Sequence, residues 1–351
     1  MNENNNKTSI YIKILTLSTS IIAVFLVINL FVYSGDPATN NTETMLPTFK
    51  DSYSIFSLKI PDDLSFAGEP VPVDKHWVKE SFDRELLINT YWQSQTVLFV
   101  KRSNRYFPII EPILKEQGVP DDFKYLAVIE SGLMPRSVSP AGASGIWQFM
   151  SATAKEYGLE VNSEVDERYH LEKATVAACK YLKKAYAKYN NWTLVAASYN
   201  AGKRGISNQL DRQKADSYYN LLLGEETGRY VYRILAIKEI LSHPVEYGFH
   251  VDDNDKYPTI ATQTIQIDST LANIANFAAN YGISYKEFKD LNPWLRENNL
   301  TNRYKKTYQI ALPKGLIKEE KTLAQDNEAA KPISIENKEM KMEKQSLIIK
   351  Q

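Results

Sequence analysis

From about residue 74 to residue 245, apolar side chains return at helical intervals in one segment after another; beyond about residue 258 they return in units too short for that pattern. The first stretch holds ESFDRELLINTYWQSQTVLFVKRSNRY, PIIEPILKEQG, a helix ending at Glu130, a helix near 152 to 157, KATVAACKYLKKAYAKY, NWTLVAASYN and GRYVYRILAIKEIL. Successive amphipathic helices bury their stripes on one another, so this run specifies a helical domain. The second stretch reads TQTIQI as a strand, LANIANFAANYG and SYKEFKDLN as helices, and KTYQIALP as a closing strand. The expected fold is mainly α, followed by a small α+β unit of βααβ order.

The boundaries follow from these shifts. The helical domain, with an N-terminal helical extension, is expected over 73–245, a linker over 246–258 and the βααβ unit over 259–314; residues 315–351, rich in Lys, Glu, Asn and Gln, read as a solvated tail. Ahead of the domain, residues 14–34 (ILTLSTSIIAVFLVINLFVYS) carry no charged side chain and reach about 30 Å as a helix, enough to cross a bilayer. Lys7 and Lys13 precede this run and Asp36 follows it, which places the short segment 1–13 in the cytoplasm and the rest across the inner membrane. A cleaved secretion signal, with Val32 and Ser34 as cleavage positions, is the competing reading; the run exceeds the usual length of such a core. Residues 35–72 are polar and proline-punctuated and read as a tether, with the folded part in the periplasmic space of the cell envelope.

Composition removes several classes. Lys plus Arg and Asp plus Glu number 42 each, so no strong overall attraction to nucleic acid is expected. Cys179 is the only cysteine and sits in an alanine-rich helical run, as a small core residue would. Four scattered histidines offer no His/Cys metal site, and neither a metal nor an organic cofactor is expected.

The chemistry concentrates in YLAVIESGLMPRSVSPAGASGIWQFM, residues 125–150. Pro120, Asp121 and Asp122 open a helix that Gly132 closes. Within it Phe123, Leu126, Ala127 and Glu130 fall on one face, which sets a carboxylate where burial is expected. Lost hydration and the negative end of the helix dipole both raise the pKa of such a group, as a general acid for glycosidic cleavage requires. A solvated Glu130, or one paired with Arg136, is the plain alternative. After it, SPAGASG supplies small residues that let a ligand approach main-chain groups, and Trp147, Gln148 and Met150 add apolar contact and an amide.

Taken together, ES at 130–131, SPAGASGIWQFM at 139–150, ASYNAG at 197–202 and ETGRYV at 226–231 resemble, in order and spacing, the soluble-lytic-transglycosylase domain of glycoside hydrolase family 23. The branch that writes IWQ where others write LMQ, and carries LysM modules after the catalytic domain, is the nearer likeness. The resemblance covers about residues 80–314. It implies a lysozyme-like helical domain that cleaves the β-1,4 bond between N-acetylmuramic acid and N-acetylglucosamine in peptidoglycan strands, leaving 1,6-anhydro ends. Glu130 takes the catalytic place; Ser131, Ser139, Gln148, Met150, Tyr199, Asn200 and Tyr230 take substrate-binding places. Glu226 could instead charge the start of the helix that carries Tyr230. Residues 259–314 resemble a degenerate LysM glycan-binding module, with Asp268, Ser269, Thr270 and Leu271 where the family has Gly-Asp-Thr-Leu. There Trp294 and Tyr304 would either stack on a sugar or staple the small domain. Two rival functions stand beside the lyase: a hydrolytic, lysozyme-like muramidase of the same fold, and a non-catalytic, membrane-tethered peptidoglycan-binding scaffold.

Overall fold

The computed structural model describes residues 55–316. The expected cytoplasmic segment, the candidate anchor at 14–34, the tether up to residue 54 and the tail beyond 316 lie outside the described residues. Among the described residues no helix is long and apolar enough to cross a membrane.

The helical part begins with a two-stranded hairpin, β1 (Ser65–Phe66) and β2 (Glu69–Pro70), followed by α1 (His76–Tyr91), α2 (Gln93–Gln117), α3 (Phe123–Ser131), α4 (Ser151–Glu156), α5 (Leu171–Tyr189), α6 (Trp192–Gln213) and α7 (Glu225–Ser242). The second part is β3 (Thr262–Ile267), α8 (Ile274–Asn280), α9 (Tyr285–Leu291) and β4 (Tyr308–Pro313), with β3 and β4 antiparallel and Thr262 opposite Pro313. The mainly helical fold and the βααβ order are both as expected.

α3 is the axis of the helical part. Tyr125 and Val128 are buried along with Phe123, Leu126 and Ala127, so the helix is enclosed nearly all round where a single buried face was expected. A short apolar helix surrounded by longer ones has no solvent face to reserve. α2 and α7 pack on α3, α1 packs along α7, and α5 and α6 complete the shell. Its start does not work as an ordinary cap: the Asp122 carboxylate accepts from the Ala67 N–H and from Lys238 Nζ, both at 2.6 Å, joining the hairpin, α3 and α7. Glu85 of α1, fully buried, takes Arg229 Nε of α7 at 2.6 Å; charged hydrogen bonds of this kind contribute roughly 1.5–3 kcal/mol.

Three boundaries move. The tether was expected to run to residue 72, but Leu64, Phe66 and Val71 are buried in the core. The Glu69 carboxylate accepts from the N–H groups of Trp192 and Thr193 and so caps α6. The expected break between Tyr106 and Pro108 is absent. α2 runs through Pro108 and Pro112, which both lie on its exposed side, where the carbonyls each proline leaves free can reach solvent; the break falls instead at Trp92. α6 runs past the NWTLVAASYN segment, kinks at Gly202 and continues to Gln213. The 246–258 segment is strapped down: Tyr257 N–H donates to the Lys101 carbonyl, and Arg105 Nε to that of Pro258. Phe249 is buried.

Candidate active site

Gly132 ends α3 in the left-handed conformation (φ 61°), and Arg102 Nη1 of α2 donates to its carbonyl at 3.0 Å. The backbone then turns sharply, with Leu133 also at positive φ (56°). Glu130 therefore sits at the last turn of a buried helix, half-buried itself. Tyr230 of α7, 2% exposed, donates its hydroxyl to Glu130 Oε1. Burial pushes the Glu130 carboxyl up to about 7; the Tyr230 hydroxyl and the Arg233 charge pull it partly back, and the Glu226 charge adds to the rise. Such a group holds a proton near neutral pH and loses it readily. Arg136, the partner of the plain alternative, pairs with Asp290 at 3.0 Å.

The segment 137–149 forms the wall beside Glu130. Ser139 Oγ accepts from the Ala143 N–H at 3.0 Å, closing a turn inside SPAGASG. Gly145 is required by contact as well as conformation: at φ 80°, an added Cβ would stand 1.9 Å from the Arg168 carbonyl oxygen. Gln148 occupies positive φ (47°), unusual for a residue with a side chain, and its amide nitrogen donates to the carbonyls of Gly145 (2.8 Å) and Ser137 (3.2 Å). Outliers of this kind gather at functional sites, because packing must hold them against about 1–3 kcal/mol of strain. Trp147 is fully buried with Nε1 donating to Thr175 Oγ1; Met150 is 46% exposed.

α6 and α7 supply the opposite side. The Tyr199 hydroxyl donates to the Trp147 carbonyl at 2.7 Å, and its ring meets Phe149 and Tyr181 edge-on. Asn200 Nδ2 donates to Glu226 Oε1 and its Oδ1 accepts from Thr227 Oγ1, so the ASYNAG and ETGRYV segments are joined directly. Burial raises the hydroxyl pKa of both Tyr199 and Tyr230 well above the ordinary value, and the Glu130 charge adds to it. Both therefore stay protonated as donors.

These bonds join Glu130 to Tyr230 and Tyr199 to Trp147 of the wall that also holds Ser139 and Gln148, with Asn200 bonded to the first turn of α7. Ser131, expected among the substrate-binding residues, is 5% exposed and its hydroxyl donates to the Ile146 carbonyl at 2.9 Å, tying α3 to the wall. Sequence reasoning did not find Arg102, Arg233 or Arg168. Only Arg168 left a local signal, an aspartate two residues before it. Burial pushes the Cys179 thiol up to about 12, in keeping with a core residue. Among the described residues no group of His, Cys, Asp and Glu could hold a metal.

In the second part Trp294 is 3% exposed and stacked between His170 and Tyr308, so it staples the domain; Tyr304 is 95% exposed. A cavity of about 330 Å³ between the two parts is lined by Tyr106, His170, Trp294 and Gln309 among others, apart from Glu130.

Two family models match separate segments of the chain. Residues 107–222 match the family model of the transglycosylase SLT domain, and residues 263–315 that of the soluble lytic transglycosylase C-terminal LysM-like domain. The membrane-bound lytic murein transglycosylase D of Escherichia coli (strain K12) is 27% identical over 228 residues, covering 64% of this chain and 49% of that protein. The chain spans about half the length of the curated relatives it matches. Among solved structures, an inactive mutant of the lytic transglycosylase Slt from Pseudomonas aeruginosa is 20% identical over 43% of this chain and 26% of that one, with a TM-score of 0.33. The 70 kDa soluble lytic transglycosylase of Escherichia coli is 20% identical over 44% and 27%, with a TM-score of 0.35. Glu130 therefore falls within the segment that matches the transglycosylase SLT domain model, and nearly all of the βααβ part within the segment that matches the LysM-like domain model.

Proposed function

We propose that the protein is a peptidoglycan lytic transglycosylase, with Glu130 as its single acid and base. The observation that carries this reading is the half-buried carboxyl of Glu130, held near neutral pKa beside the Tyr230 hydroxyl within the SLT domain. Protonated Glu130 donates to the glycosidic oxygen as the bond from the muramic acid C1 breaks, and the substrate's N-acetyl group stabilises the cation that forms. The carboxylate left behind is stabilised by the Tyr230 hydroxyl. It then removes the proton from the C6 hydroxyl as that oxygen bonds to C1, giving a 1,6-anhydro ring and restoring protonated Glu130. Water is not consumed, and a second carboxylate is not required.

Ser139, Gln148, Met150, Tyr199 and Asn200 bound the glycan in this reading, Met150 through its exposed side chain and the others partly by shaping the wall. The LysM-like domain lies against the same glycan strand, and residues 14–34 hold the enzyme at the periplasmic face of the inner membrane, or direct its secretion to the periplasm if they are cleaved. The test is digestion of purified peptidoglycan by the full chain with mass analysis of the released fragments. Anhydro ends are expected. Reducing ends identify a hydrolase, and no release with retained binding identifies a scaffold.

A further inference from the structure

Residues 160–168 belong to the helical part by sequence, yet several of them bond to or pack in the LysM-like domain. Val165 is 1% exposed and buried in the core of that domain, bridging Leu295. The Asp166 N–H donates to the Trp294 carbonyl at 2.8 Å, and the Arg296 N–H to that of Glu164 at 2.7 Å. The Glu164 carboxylate accepts from the Thr301 N–H at 2.6 Å and from Asn299 Nδ2 at 2.9 Å.

The same segment reaches into the wall beside Glu130. The Asp166 side chain, 8% exposed, accepts from Arg168 Nε at 2.9 Å and Nη2 at 2.7 Å. This pairing aims the guanidinium, whose Nη1 donates to the Gly142 carbonyl at 2.9 Å and to that of Phe149 at 3.1 Å. Gly142 and Phe149 flank the strained part of the wall, and the Arg168 carbonyl fills the space that Gly145 leaves open. A planar, always-charged fork serves here because one head must meet two carboxylate oxygens and two carbonyls at once.

We propose that Arg168 is a positioning residue for the 137–149 wall, and that the LysM-like domain braces it through residues 164–166. The domain would then have a second role, independent of glycan contact: it fixes the wall on which Glu130 works. For its catalytic consequence the inference rests on the proposed function. Its geometric content does not.

The test compares amide hydrogen exchange at Ser144 and Phe149, which bond each other across the wall, in the full chain and in three variants. Glu164→Ala and Val165→Ala loosen the brace from the LysM-like side, away from the cleft; Arg168→Lys keeps the charge and loses the fork. Each is expected to speed exchange at these two amides roughly 5- to 30-fold while amides of α3 keep their protection. Combining Glu164→Ala with Arg168→Lys should add little, since both act through one path. In peptidoglycan turnover, kcat should fall with KM nearly unchanged. Unchanged wall exchange in Glu164→Ala and Val165→Ala overturns the brace, and unchanged exchange in Arg168→Lys overturns the role of Arg168. A wild type that releases no fragments, with exchange responding as stated, supports the brace and rejects the proposed function.

Discussion

Glu130 and Glu167 are both enclosed carboxylates, and their surroundings drive them in opposite directions. At Glu130 burial dominates, and a neutral hydroxyl from Tyr230 with the charge of Arg233 only partly offsets it, so the carboxyl rises to about 7. At Glu167 burial also raises the pKa, but the Glu160 N–H at 2.8 Å and Lys173 Nζ at 2.5 Å outweigh it and hold the group below the usual carboxylate range. A full positive charge in contact makes a structural anchor; a neutral donor leaves a group that exchanges protons at working pH. Enclosure alone decides neither role.

The sharpest break between the two is Glu130→Gln. Activity on peptidoglycan is expected to fall by about 10⁴-fold or more, since acid and base roles each contribute about 10²- to 10⁴-fold and the proposed reaction gives both to Glu130. Binding and folding persist. The sign of the stability change is fixed by the raised pKa: an unfolded Glu130 ionises near its ordinary 4.5, whereas the folded one keeps its proton to about 7. The wild type therefore loses stability from this group as pH rises from about 4.5 through 7, and the amide does not. Denaturation at pH 8 should find Glu130→Gln the more stable by roughly 1–3 kcal/mol, with the gap closing by pH 4. Near-normal turnover would move catalysis to another residue.

Tyr230→Phe sharpens the same point with a smaller effect. Removing the hydroxyl takes away a donor that favours the ionised carboxylate, so the alkaline limb of the pH–rate profile moves up. The maximum rate drops roughly 10- to 150-fold, the range of a hydrogen bond to a charged group. A profile that stays in place would show that the hydroxyl does not set the acidity of Glu130. At the anchor, Glu167→Gln should cost about 1–2 kcal/mol at pH 7, discounted because Lys173 is partly exposed. A depressed carboxylate contributes above its unfolded pKa and is lost as pH falls through the folded one, so the gap between wild type and variant should narrow as pH falls below about 4.5. Thermal unfolding across pH 3–7 reads this directly.

Much of the site could be read from residues near in sequence. The helix that ends at Gly132, the small-residue turn after Ser139 and the βααβ order are local patterns of spacing and turn chemistry, and the structure has them. Long-range demands were hidden. Nothing adjacent to Glu69 or Asp122 says that their carboxylates cap another helix or join a hairpin to α7. The tether's end was misplaced because three apolar residues, Leu64, Phe66 and Val71, are too few to make a period yet enough to be buried. Pro108 suggested a break that its solvent-facing position makes unnecessary. Trp294 shows the converse: an aromatic suited to a sugar is used for packing because His170 and Tyr308 flank it.

The most direct test of the central claim is a carboxyl-carbon NMR titration of the full chain labelled at glutamate, with Glu130→Gln used to assign the resonance. The environment of Glu130 requires a midpoint near 7, displaced further upward in Tyr230→Phe. A midpoint near the ordinary glutamate value of about 4.3 would mean that the carboxyl is solvated, and would contradict its use as a proton donor at neutral pH.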